Sequence, residues 1–109
     1  MKMNDYQSKA VRTSRHKYAK DETFHLLLGL AGETGEIMEK AKKIIRDKDS
    51  EFNTDEFKND LKKELGDVLW YVAVLAHHFD LWLEEVAQTN VKKLEDRQAR
   101  GVLGGSGDD

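Results

Sequence analysis

The chain has 109 residues, 39% of them hydrophobic and 36% charged, with no proline, no cysteine and a formal charge of -3. Such a composition suits one domain of amphipathic helices; it excludes disulfides, thiolate metal sites and cysteine nucleophiles, and it provides no basic field to attract nucleic acid. No apolar run approaches the ~18 residues of a membrane span and no charged-then-apolar leader opens the chain, so the expectation is a soluble cytoplasmic protein with no membrane partner.

The first helix is expected over residues 5–20, where Tyr6, Ala10, Val11, Ser14 and Tyr18 recur at helical spacing among basic residues. Asp21 and Thr23 are candidate caps for a second helix over residues 22–46, whose Leu26, Leu27, Leu30, Ile37, Ala41, Ile44 and Ile45 share one face that should be core. "DKDSEFNTDE" then breaks the apolar period, and Asn53 with Glu56 resembles a helix-start pair. A third helix over residues 54–79 carries a stripe of Leu61, Leu65, Val68, Leu69, Val72, Ala76 and Phe79, with Trp70 and Val74 on nearly the opposite side. Two apolar sides need two partners: its own bundle on one, and the first helix or another subunit on the other. The fourth helix, residues 83–100, aligns Leu83, Ala87, Val91 and Leu94. The prediction is therefore an all-α, four-helix bundle completed by homodimerisation, a single domain over residues 1–100 and a flexible Gly-rich tail over 101–109.

Glu33 and Glu36 are three residues apart on the second helix, as are Glu64 and Asp67 on the third. That spacing turns each pair of carboxylates to one side, and both pairs flank the apolar stripe of their helix on the same rotational side. Packed antiparallel, the two helices gather four carboxylates, an arrangement whose mutual repulsion is tolerable around a hard, oxygen-preferring dication such as Mg²⁺. In a chain this acidic the spacing alone is weak, but Gly29, Gly32 and Gly35 strengthen it. Three glycines inside a helix cost about 3 kcal/mol relative to alanine, and Gly29 and Gly32 fall beside the Glu33 and Glu36 face, leaving space for a ligand or a close helix. Asn90, Lys93 and Arg97 line one side of the fourth helix, a set suited to a phosphate chain.

"GLAGETGEIMEKAKK", "KKELGDVLWYVAVLAHHFDL" and "EEVAQTNVKKLEDR" together resemble the MazG-like nucleotide pyrophosphohydrolases, an all-α group related to the dimeric dUTPases and the phosphoribosyl-ATP pyrophosphohydrolases. The resemblance covers most of residues 24–101 and includes the ExxE and ExxD motifs, met by Glu33, Glu36, Glu64 and Asp67. It implies a Mg²⁺-dependent enzyme that splits nucleoside triphosphates between the α and β phosphates, giving a monophosphate and pyrophosphate. It also implies homodimers, or tetramers built from dimers. Carried over, the four acids hold Mg²⁺, Asn90, Lys93 and Arg97 contact phosphates, and Tyr71 borders the substrate. Glu33, nearest the apolar stripe, is the expected base for the attacking water. Trp82 departs from the small cap expected before the fourth helix, with Asp80 the alternative cap.

His25, two turns before Glu33, is a candidate substrate contact. His78 lies eleven residues past Asp67, about 16 Å along the axis. It is too far to share a metal with Asp67 and is assigned to the surface or an interface, while Trp70 is assigned to a core or interface. The competing reading is a catalytically silent helical interaction module of the same fold.

Overall fold

The computed structural model describes residues 1–15 and 21–101. They form four helices, α1 Met3–Arg12, α2 Glu22–Asp47, α3 Asp55–His78 and α4 Leu83–Arg100, and no strand. None is long and apolar enough to cross a membrane. The first helix ends eight residues earlier than its periodicity suggests, because Thr13 turns its hydroxyl back onto the Ala10 carbonyl at 2.7 Å and accepts the Trp70 indole N–H at 2.7 Å. Residues 16–20, including Tyr18, and residues 102–109 of the expected tail lie outside the described residues.

α2 and α3 form an antiparallel hairpin. Thr23 meets His78, Gly29 meets Tyr71, Lys40 meets Glu64 and Lys48 meets Glu56, a register that falls steadily along α3 as it climbs along α2. α1 packs against α3 and α4, while the backbones of α2 and α4 stay apart. A small core drawn from all four helices, Ala10, Leu26, Ala73, Val74 and Leu83, sits where they converge. Trp70 and Val74 thus find α1 on the second side of α3. The α2 stripe expected to be core is only partly so: Leu26 is buried, whereas Leu27 and Ile45 are exposed. Leu65 and Leu69 of α3, Phe79 just past its end, and Val91 and Leu94 of α4 are exposed as well.

The helix ends differ from the expected caps. Asp21 occupies the cap position of α2 without a side-chain cap bond, and Thr23 instead joins His78 Nε2 at 2.9 Å. Thr54, not Asn53, caps α3 by accepting the Phe57 N–H at 3.1 Å, with Phe52 and Phe57 packed edge to face across the cap. Asp80 does not cap α4. It takes a left-handed conformation, φ 59°, at the end of α3, where its N–H reaches His77 O at 3.0 Å and the Leu81 N–H reaches Ala76 O at 2.9 Å.

α4 is started from another helix. Its cap residue Trp82 has no acceptor to offer, so the Leu83 N–H donates to Gln7 Oε1 at 2.8 Å and the Glu84 N–H to Asn4 Oδ1 at 3.0 Å, both from α1. Glu85 reaches back to the Trp82 N–H at 2.6 Å. The Gln7 amide also donates to Ala73 O at 3.0 Å and Leu81 O at 2.9 Å, so one buried side chain ties α1 to α3, to the turn after it and to α4. Gln7→Ala should cost about 3 kcal/mol in urea denaturation, because it leaves the buried Leu83 N–H without an acceptor and empties the space of a fully buried side chain. Asn4→Ala, which removes one more exposed cap, should cost only about 1 kcal/mol.

Candidate metal centre

The antiparallel register brings Glu33 of α2 beside Glu64 and Asp67 of α3, and one oxygen of each lies within 4.8 Å of the others. Glu36, one turn on and exposed, is outside this trio, though its charge acts on Glu33. Glu33 and Glu64 are half-buried and Asp67 is exposed, so the cluster opens to solvent at one edge. Partial removal from water pushes the Glu33 carboxyl above its ordinary value of 4.5, and the charges of Asp67, Glu64 and Glu36 push it further. Three carboxylate oxygens this near to one another are placed to turn towards a single ion. The donors are all carboxylate oxygens, which suits Mg²⁺ or another hard dication.

Tyr71 stands one turn past Asp67, and its ring lies directly on Gly29. A Cβ there would overlap the ring and hydroxyl, whereas Gly32 and Gly35 face open space. Gly29 is thus required by a close aromatic contact between helices. Trp70 packs edge to face on the same ring, with centroids 4.9 Å apart. His25 is exposed on α2.

Asn90 is exposed and Lys93 half-buried on α4, while Arg97 is only 4% exposed. Lys93 lines an open groove of about 430 Å³ with Thr89, Lys92, Asp96 and Arg100.

Two neighbours of the acids escape a reading of the sequence. Tyr6 of α1 is held above its usual phenol range by burial and by the charge of Asp67, 61 residues away in the chain. Only packing reveals that link. Lys40, 3.6 Å from Glu64 Oε1, had a local signal: it follows Glu36 by four residues on one helix face.

The chain matches the model of the MazG nucleotide pyrophosphohydrolase domain over residues 22–102. It is also similar to the Gene 37 protein of Mycobacterium phage L5, 55% identical over 84 residues that take in 77% of this chain and 73% of that protein. No solved structure matches it.

Because folding raises the Glu33 pKa, its contribution to stability is full below the unfolded value and is lost as pH rises through the folded one. In chelator-treated protein, the Tm of Glu33→Gln minus that of wild type should therefore grow as pH is raised from about 4.5 towards 7. A flat difference would show that the carboxylates do not strain one another. Gly29→Ala, which forces the Tyr71 ring aside, should cost about 1–3 kcal/mol in the same denaturation assay.

Proposed function

The chain belongs to the MazG nucleotide pyrophosphohydrolase family, and on that premise we propose that it is a Mg²⁺-dependent hydrolase of nucleoside triphosphates with a role in nucleotide-pool housekeeping. The observation that carries this reading is the meeting of the Glu33, Glu64 and Asp67 oxygens from two helices within 4.8 Å. When bound, Mg²⁺ would neutralise the polyphosphate and stabilise the departing pyrophosphate. Glu33, Glu64 and Asp67 would hold it, with Glu36 joining from the next turn of α2.

Glu33 is the base. From its half-buried place among the acids it takes the proton of a water whose oxygen attacks the α phosphorus, as the bond from that phosphorus to the α,β-bridging oxygen breaks. The products are a nucleoside monophosphate and pyrophosphate. Asn90 and Lys93 serve as phosphate contacts from their accessible positions on α4; Arg97, 4% exposed, would have to turn outward to join them. Tyr71 and His25 border the remainder of the substrate. A homodimer or a tetramer of dimers would cover exposed Leu27, Leu65 and Leu69 and bring a second α4 towards the acids. We place the enzyme in the cytoplasm.

The test is a panel of ribo-, deoxyribo- and modified nucleoside triphosphates with Mg²⁺, with pyrophosphate resolved from orthophosphate. Wild type should release pyrophosphate and monophosphate. Glu64→Gln and Asp67→Asn should lower kcat by more than the roughly 10–100-fold typical of outer-shell residues. Lys93→Ala should raise KM about tenfold with a smaller effect on kcat. Folded protein with no turnover on any nucleotide would instead favour the silent interaction module.

A further inference from the structure

Among the described residues, one cation forms an ion pair with any of the four acids. Lys40 Nζ lies 3.6 Å from Glu64 Oε1 and 4.0 Å from Asp60 Oδ2. The Glu64 side chain is 15% exposed and that of Lys40 35%, so the pair is partly withdrawn from water and interacts more strongly than most surface pairs. Lys40 follows Glu36 by one turn on α2, and the antiparallel register delivers its ammonium to the edge of the carboxylate trio.

We propose that Lys40 is a tethered counter-cation of the acid cluster, holding Glu64 in the absence of ligand and passing to a phosphate oxygen when a polyphosphate arrives. The inference rests on the reading that Glu33, Glu64 and Asp67 take a dication. A metal ion about 2.1 Å from Glu64 Oε1 would lie at most roughly 6 Å from the ammonium. At that distance even bulk-water screening makes a unit charge cost a dication about tenfold in affinity. Lys40 therefore weakens the hold of the empty site on a bare ion. A polyphosphate gives the flexible lysine a new anionic partner, and the penalty is relieved as the nucleotide binds. Metal occupancy is thereby linked to the presence of substrate.

Calorimetry with Mn²⁺ as the metal probe and inorganic triphosphate as the phosphate probe tests this on the full chain. Lys40→Met should bind Mn²⁺ about tenfold more tightly than wild type, and, at saturating Mn²⁺, triphosphate about tenfold more weakly. Lys40→Arg should stay within about threefold of wild type in both. Lys42→Met, which removes a cation of the same helix paired with Glu39, should alter neither. A purely structural role would weaken both ligands together, so the opposite signs identify the counter-cation, with thermal melting establishing that each variant is folded. Unchanged or weakened Mn²⁺ binding in Lys40→Met, or undiminished triphosphate binding, overturns the role of Lys40 and leaves the metal centre standing. Failure of every variant and of wild type to bind Mn²⁺ overturns the metal centre itself.

Discussion

Three helices of this chain depend on one buried amide. Gln7 donates to two carbonyls at the end of α3 and the turn after it, and accepts the first amide of α4, whose own cap residue is a tryptophan with no acceptor. In a core built mainly of alanines, a valine and leucines, apolar area alone provides little orientation. Directional hydrogen bonds provide it instead, and they carry a penalty if broken, because the freed Leu83 N–H would remain away from water. Among the described residues no buried side-chain polar atom lacks a partner, so this polar centre is fully satisfied.

The acid cluster is the opposite case, a place where the fold accepts unfavourable electrostatics. Glu33 is pushed up in pKa by partial desolvation and by the three other acids. Its position is nevertheless well determined, because the α2–α3 hairpin is pinned on both sides of it. The Tyr71 ring lies on Gly29 one turn before Glu33, and Lys40 pairs with Glu64 about two turns beyond. Carboxylates held together by contacts of this kind are arranged before any ligand arrives, which is what a dication site requires.

The hairpin and the α1–α4 pair leave apolar surface that the chain does not itself cover. Leu27, Leu65 and Leu69 are exposed on the hairpin, and Val91 and Leu94 on α4. A stripe read from periodicity identifies which residues share a face. It does not say whether one chain supplies the partner for that face, and here the α2 stripe divides between buried Leu26 and exposed Leu27 and Ile45.

By itself the sequence determined the number of helices, the bounds of α2, α3 and α4 to within one residue, and the family, because apolar period and the ExxE and ExxD spacing are local properties of the chain. It also turned glutamates 33, 36 and 64 and aspartate 67 to matching sides of two helices, of which the structure brings 33, 64 and 67 together. Where α1 ends, how α4 is capped, why position 29 must be glycine and which lysine faces the acids were decided by the tertiary structure alone. Each of those depends on a partner tens of residues away: Trp70 for Thr13, Gln7 for Leu83, Tyr71 for Gly29, Glu64 for Lys40. Helical spacing encodes which side chains share a face, whereas the register between helices, set by packing and buried hydrogen bonds, decides which of those faces meet.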